Sequence, residues 1–241
     1  MSDIKKPIII FDVDGTLVVE SDRLLAQTKA VAYHFGGLPA EMQAVLYAFF
    51  AINDEVTKEK PHLKNNISLY MKMVGERLGI ATSEAEAETL ATQWTEAYKN
   101  SHTKPVLFPD AYMCLETLSQ RGFRLVVASG NTVATRTDML EQTGIAQFFS
   151  QIYAATDVGY QKQDVRFWES ILSSLDIAPE EKVMVIGNQL NDDILQPIHL
   201  GHLAFLIERP SELKKIQEEP RITPTAIFNN LQELVDSSYF S

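Results

Sequence analysis

Two aspartates separated by one residue, Asp12 and Asp14, follow an apolar run at residues 7–11. Such a run is typical of a strand buried on both faces of a parallel sheet. Two carboxylates at the end of a buried strand repel each other unless a proton or a cation lies between them. Oxygen ligands of this kind suit Mg²⁺, and Gly15 lets the backbone turn closely around an anion. The structural alternative is that the aspartates only end a strand and form a turn.

The pattern of the remaining chain predicts the elements that position this pair. Apolar runs predict further strands at 124–128, 151–155, 182–186, 203–207 and 226–228. Helical segments alternate with these strands, which predicts an α/β fold with a doubly wound parallel sheet. Ligands bind such sheets outside the carboxyl ends of the strands, and the polar clusters of this chain follow strand ends.

A long helical segment interrupts this alternation after the first strand. Residues 20–104 show helical periodicity with no clear strand, and we predict four helices there. The last of them opens at Ser83 with Glu86 three residues later, the pattern of a capping box. The sequence therefore predicts an α/β core domain of residues 1–19 and 105–241, and an inserted all-helical domain of residues 20–104.

The segment Phe11–Leu17 (FDVDGTL) resembles the first motif of the haloacid dehalogenase superfamily, in its phosphatase branch. The resemblance covers nearly the whole chain and implies a Rossmann-like core with a helical cap domain at residues 20–104. It further implies that Asp12 attacks phosphorus, and that Asp14 protonates the leaving oxygen and later activates water. The dehalogenating branch lacks the second aspartate, so the resemblance disfavours halide substrates.

The resemblance extends to a phosphate-binding set. Ser129, followed by Gly130 and Asn131, matches the second motif of the family at the end of the next strand. The match implies that its hydroxyl and the adjacent backbone N–H groups hold the phosphoryl oxygens, together with Gly15 and Thr16. Taken alone, this segment is also a common strand-to-helix turn with a helix cap.

Lys162 matches the third motif of the family, a lysine that precedes a helix. The two prolines usual in this motif are replaced here by Gln163 and Val165. The implied role is to neutralise charge on Asp12 and on the transferring phosphoryl group, and Lys162 would also bind the substrate phosphate. Without this context, a lone loop lysine is most often a solvated charge.

The fourth motif departs from the family pattern. Gly187-Asn188 stands where the family usually has Gly-Asp, and Asp192 and Asp193 follow. An amide oxygen can ligate a hard cation but brings no negative charge, so metal affinity should fall. We favour Asp193 over Asp192 as the further carboxylate; both could instead be charges at a helix N-terminus. The metal-binding residues implied by the resemblance are Asp12, Asp14, Asn188 and Asp193.

Composition limits the partners of this chain. Its 241 residues carry a formal net charge of −11 at pH 7, which argues against binding to a nucleic-acid backbone. No apolar run approaches the ~20 residues that a membrane span needs. The one cysteine, Cys114, lies in a helical apolar pattern, and this is consistent with a core residue in the reducing cytoplasm.

These observations lead to one expected function and two alternatives. We expect a Mg²⁺-dependent phosphatase that hydrolyses a small phosphorylated metabolite through an aspartyl-phosphate. A phosphomutase would use the same intermediate but return the phosphoryl group to a sugar. The replacement of aspartate by Asn188 also leaves open a catalytically weak relative that binds a phosphorylated ligand or a partner protein. Neither the substrate nor the oligomeric state follows from the sequence.

Overall fold

The computed structural model describes residues 7–19, 21–36, 39–100, 105–175, 177, 182–209 and 223–240. The chain divides into two compact units. The described residues of the core unit are 7–19 and those from 105 onward, and the described residues of the helical unit lie between 21 and 100.

The core unit is built on a six-stranded sheet with the order β3-β2-β1-β4-β5-β6. All neighbouring strands are parallel, which confirms the predicted α/β fold with a doubly wound parallel sheet. The strands are β1 Ile8–Phe11, β2 Arg124–Ser129, β3 Phe149–Ala154, β4 Met184–Gly187, β5 Leu203–Ile207 and β6 Ala226–Phe228.

Two strands begin two residues away from the predicted position. β3 begins two residues earlier than expected, because Phe149 already pairs with Leu125 of β2 before a shift in register. β4 begins two residues later than expected. The N–H of Val183 donates to Nδ1 of His202 rather than to a neighbouring strand, and Gly187 extends the far end by pairing with Leu206.

Side chains of successive strand residues enter two separate apolar cores, one on each face of the sheet. Ile9 and Phe11 belong to a core that includes residues of helices α5 Ala111–Gln120, α6 Val133–Gln142 and α10 Leu231–Asp236. Ile8 and Ile10 belong to the opposite core, which includes residues of α8 Val165–Ser174 and of the short α7 Ala155–Val158. Helices therefore cover both faces of the sheet, and its strand ends remain as the place for polar groups.

The helical unit contains four α-helices, in agreement with the prediction, and no strand among its described residues. They are α1 Ser21–Ala32, α2 Pro39–Glu59, α3 Ile67–Leu78 and α4 Glu84–Asn100. Phe49 stacks on Trp94 in its core, with ring centroids 4.3 Å apart. The predicted capping box is confirmed, since Ser83 N–H donates to Glu86 and Glu86 N–H donates to the Ser83 hydroxyl.

Among the described residues of the core unit, the remaining α-helix is α9 Leu195–His199. Across the described parts of both units, no helix is long and apolar enough to cross a membrane.

Candidate active site

Asp12 lies at the point where the strand order of the sheet reverses. β1 pairs with β2 on one side and with β4 on the other, and the N–H of Asp12 donates to Ile186 O at 2.9 Å. In parallel sheets of this order, the crevice outside the carboxyl ends of the two central strands is the usual ligand site. The topology therefore places Asp12 where a substrate would bind.

A tight turn follows β1 and orients the first motif. The N–H of Gly15 (φ 78°) donates to Val18 O at 2.8 Å, and the N–H of Val18 donates to Val13 O at 2.9 Å. Gly15 thus has a backbone partner and supplies the left-handed conformation that the turn requires. The hydroxyl of Thr16 donates to Oδ2 of Asp12 at 3.2 Å and so holds one carboxylate oxygen in place.

Lys162 brings the first and fourth motifs together. Its side chain is buried, and its ammonium donates to Asp12 Oδ1 at 2.7 Å and to Ala128 O at 3.3 Å. The same ammonium forms an ion pair with Asp193 Oδ1. Burial lowers the pKa of Lys162, but the carboxylates of Asp12, Asp193 and Asp192 raise it above its ordinary value. Lys162 therefore remains charged, as its predicted role requires.

The loop before α8 holds Lys162 in this position. The indole N–H of Trp168, which is fully buried, donates to Lys162 O at 2.7 Å. Gln163, which replaces a proline of the usual motif, donates through its side chain to Asp192. Gln196 in turn donates to Gln163 O at 2.8 Å. Side-chain hydrogen bonds therefore constrain a loop that the family usually constrains with proline.

Asp193, rather than Asp192, joins the cluster around Asp12. It is completely buried in a π-helical turn at Leu190–Ile194, and its Oδ2 accepts the N–H of Gln189 at 3.0 Å. Burial raises the pKa of Asp193, and the nearby carboxylates of Asp12 and Asp192 raise it further, while Lys162 opposes them. A cation beside these carboxylates would relieve the same repulsion.

Asn188 supplies the observation that tests whether a metal fits. Its buried Oδ1 has no hydrogen-bond partner among the described residues. An unsatisfied amide oxygen after β4 is a suitable ligand for a hard cation. No group of three or more His, Cys, Asp or Glu residues in the described chain is arranged to hold a metal, so a metal at this strand end would take the Asn188 oxygen together with the carboxylates of Asp12 and Asp193. These residues fit Mg²⁺.

Ser129 is the last residue of β2, and it is buried. Its Oγ accepts the Nε–H of Arg136 at 2.6 Å and the N–H of Asn131 at 3.3 Å. The hydroxyl of Thr132, the N-cap residue of α6, accepts the N–H of Thr135 at 3.1 Å. Thr132 rather than Ser129 therefore caps this helix. A Cβ at Gly130 would meet no atom within 4 Å, which leaves open space beside this strand end.

The carboxylate of Asp14 has a partner that the sequence interpretation missed. Nη1 of Arg136 donates to Asp14 Oδ1 at 3.0 Å, and Nη2 pairs with Oδ2. We predicted Asp14 among the metal ligands, whereas here the guanidinium fork binds its carboxylate, because the two planar groups match in geometry. The sequence spacing could have indicated that Arg136 is buried. It lies three and four residues before Met139 and Leu140, and so shares the buried face of α6 with them.

Arg209 is a second buried cation that sequence interpretation missed. It follows β5, and its guanidinium donates to Thr16 O at 2.9 Å and to both carboxylate oxygens of Asp110. Asp110 also accepts the N–H of Leu231 at 2.7 Å. Arg209 therefore ties the turn of the first motif to the start of α5 and to α10.

A family model described as haloacid dehalogenase-like hydrolase matches residues 9–195. The chain belongs to this family. The match spans all four motif regions, and it includes the whole helical segment between the first and second motifs. It therefore confirms the family that the sequence motifs indicated.

Curated relatives of this haloacid dehalogenase-like hydrolase are phosphatases. The glyceraldehyde 3-phosphate phosphatase of Methanothermobacter thermautotrophicus is 33% identical over 112 residues, which are 46% of this chain and 48% of that relative. The phosphoglycolate phosphatase of Vibrio cholerae is 28% identical over 198 residues, 82% of each chain. Phosphoglycolate phosphatase 1 of Pseudomonas aeruginosa is 22% identical over 95% of this chain and 78% of that relative. The chain is therefore a hydrolase of phosphoric monoesters.

Solved structures with the same fold include both branches of the family. The HAD-hydrolase YfnB from Bacillus subtilis, bound to magnesium, has a TM-score of 0.70 at 19% identity and covers 96% of this chain and 97% of its own. The L-2-haloacid dehalogenase from Xanthobacter autotrophicus has a TM-score of 0.66 at 15% identity, with 95% and 96% covered. Because one fold serves both reactions, the residues of the site must decide between them.

Proposed function

We propose that this enzyme is a Mg²⁺-dependent phosphatase that hydrolyses a small phosphorylated metabolite through an aspartyl-phosphate on Asp12. The observation that carries the proposal is the environment of the Asp12 carboxylate. It lies at the crossover point of the sheet, with Lys162 bound to one oxygen and Thr16 to the other. A carboxylate held in this way keeps a fixed orientation toward an incoming phosphorus atom.

The proposed reaction has two displacements. In the first, a carboxylate oxygen of Asp12 bonds to phosphorus while the ester bond to the leaving oxygen breaks, and Asp14 gives that oxygen a proton. In the second, Asp14 takes a proton from water, the water oxygen bonds to phosphorus, and the bond to Asp12 breaks. Lys162 and Ser129 would contact the phosphoryl oxygens in both steps, because they border the Asp12 carboxylate and the end of β2.

Mg²⁺ would be held by Asp12, Asn188 and Asp193. When bound, the ion would neutralise charge on the phosphoryl group and on the surrounding carboxylates. Asn188 contributes an oxygen without a charge, so we expect weaker metal binding than with aspartate at this position. We propose that the helical unit, residues 20–104, acts as the cap that excludes water during the reaction.

The substrate class is inferred from the relatives. Phosphoglycolate and glyceraldehyde 3-phosphate are the substrates that the names of three relatives state. Both are small phosphate esters that carry a second polar carbonyl or carboxyl group. We therefore propose substrates of this size and polarity, acted on in the cytoplasm.

The test is a phosphate-release screen over small metabolite phosphates, with and without Mg²⁺. Asp12→Asn keeps the shape of the side chain but removes its nucleophilicity, so we expect it to abolish release. Asp138→Asn, an exposed position on α6, is the matched control and should retain activity. Residual activity of Asp12→Asn above one tenth of wild type, or ~1.4 kcal/mol in activation free energy, would contradict the nucleophile. Transfer of phosphate to a second sugar hydroxyl would instead indicate a phosphomutase.

One specific observation supports a weaker enzyme that mainly binds its ligand, namely the neutral Asn188 where the family usually has an aspartate. Asn188→Asp adds a charge to the proposed ligand set, and a tenfold gain in Mg²⁺ affinity corresponds to ~1.4 kcal/mol. Calorimetric titration of Mg²⁺ into both proteins measures this gain directly. An inactive wild type together with an active Asn188→Asp variant would show that the natural metal site has lost its function.

A further inference from the structure

Arg136 joins two chemical groups that come from different strands. Its Nε–H donates to the Ser129 hydroxyl at 2.6 Å, and its Nη1–H donates to Asp14 Oδ1 at 3.0 Å. Nη2 pairs with the second oxygen of the same carboxylate. Only 4% of Arg136 is exposed, and Met139 Sδ lies 3.2 Å from Nη1. The guanidinium is therefore held on several sides.

The geometry of the guanidinium matters more than its charge in this arrangement. Its donors are fixed in one plane, so a two-point contact sets both the position and the rotation of a carboxylate. The Asp14 side chain is 28% exposed and lies in a turn, where a carboxylate without a partner would rotate toward water. A lysine would keep the charge but not this orientation.

The contact also bears on the role of Asp14 in proton transfer, because Arg136 contacts each oxygen of this carboxylate once. General acid–base catalysis requires such a group to stay within hydrogen-bond reach of the atom that it serves, which a fixed rotamer favours.

We propose that Arg136 is a positioning residue that holds Asp14 in the orientation needed for both proton transfers, with Ser129 as its second anchor. This proposal rests on the proposed function, in which Asp14 is the general acid and base. Arg136 does not touch the reacting atoms and acts through Asp14. Its loss should slow the steps in which a proton moves and spare a phosphorylation step that needs none.

Aryl and alkyl phosphates separate these steps. The phenolate of 4-nitrophenyl phosphate leaves with little protonation, so Arg136→Met should still form the phosphoenzyme from it rapidly. Removal of the phosphoryl group needs the base, so this step should slow at least tenfold. We expect a burst of nitrophenolate and a phosphoenzyme that mass spectrometry detects. For an alkyl phosphate, whose leaving oxygen needs a proton, kcat should fall at least tenfold without a burst.

A double-mutant cycle tests whether Arg136 acts through Asp14. In an Asp14→Asn background, Arg136→Met should change kcat by less than about twofold, because the group that it positions is already absent. Arg136→Lys should resemble Arg136→Met; recovery of wild-type rates by lysine would show that only charge matters and would overturn the positioning role. Equal losses for aryl and alkyl substrates, with no phosphoenzyme, would overturn it as well.

Two controls separate this inference from folding and from the proposed function. Arg166→Met removes an arginine from an exposed pair with Asp164 and should leave kcat unchanged. If Arg136→Met does not fold, the same double-mutant cycle can be measured with Arg136→Lys and Asp14→Asn. Phosphate release by wild type and its loss in Asp12→Asn report on the proposed function alone. If wild type releases phosphate and Asp12→Asn does not, additive effects of the Arg136 and Asp14 substitutions on kcat overturn only the positioning role of Arg136. A wild type that releases no phosphate overturns both proposals.

Discussion

Replacing Lys162 by Met is the most informative perturbation of the buried charge cluster. The substitution keeps the length of the side chain but removes the ammonium that contacts both Asp12 and Asp193. Two buried carboxylates then face each other without a cation. We expect the free energy of unfolding and the rate of phosphate release both to fall.

The size of the loss of stability follows from the geometry. At 2.7 Å between Nζ and Asp12 Oδ1, an effective dielectric constant of 20 gives an attraction of ~6 kcal/mol. Desolvation of the buried ions offsets part of this attraction, and removal of one partner from a buried pair usually costs about 3–5 kcal/mol. Domains are stable by ~5–15 kcal/mol, so the variant should lose a substantial part of its stability.

Urea unfolding, followed by tryptophan fluorescence, measures this loss. A Trp94→Phe background leaves Trp168 as the one tryptophan, so the signal reports on the core unit. The difference in free energy of unfolding between wild type and Lys162→Met should become smaller as pH falls from 8 to 5, because protons then replace the ammonium between the carboxylates. Added Mg²⁺ should stabilise Lys162→Met more than wild type, if Asp12 and Asp193 are metal ligands.

Lys72→Met is the matched control, because Lys72 forms an exposed pair with Glu84 in the helical unit. It should leave the unfolding of the core unit unchanged. A Lys162→Met protein as stable as wild type at pH 8 would refute the reasoning, since the buried carboxylates would then need no cation.

Three further predictions concern other residues of the core unit. Gly187→Ala places a Cβ 2.3 Å from Cγ of Asp193, so this carboxylate must move; we expect a cost of ~1–3 kcal/mol in urea unfolding and weaker Mg²⁺ binding by calorimetry. Arg209→Met leaves the carboxylate of Asp110 without its buried partner, and unfolding should show a loss of about 3–5 kcal/mol, whereas an unchanged midpoint would contradict the pairing. Burial lowers the pKa of His202, so the unfolded chain binds a proton that the native chain does not as pH falls below 6.5. Wild type should therefore lose stability relative to His202→Asn between pH 7 and pH 5.5, and parallel pH profiles would contradict this.

The features that depend on local pattern could be predicted from the amino-acid sequence. The apolar run before Asp12 predicted a buried strand, because strands covered on both faces consist of continuous apolar residues. The alternation of strands and helices predicted the parallel sheet, and the Ser83–Glu86 spacing predicted the start of α4. Boundaries were less accurate, as β3 and β4 show, since a strand ends where pairing with its neighbour ends.

Which polar groups come into contact depends on the tertiary structure. Lys162 contacts Asp12 across 150 residues, and Arg136 contacts Asp14 across 122 residues. Such contacts depend on strand order and register, which bring the ends of β1, β2 and β4 to one edge of the sheet. The sequence offered Arg136 only as a charged residue on the buried face of a helix. Its partner became evident once folding had placed Arg136, near the start of α6, beside the turn after β1, because a buried guanidinium must find a carboxylate within reach.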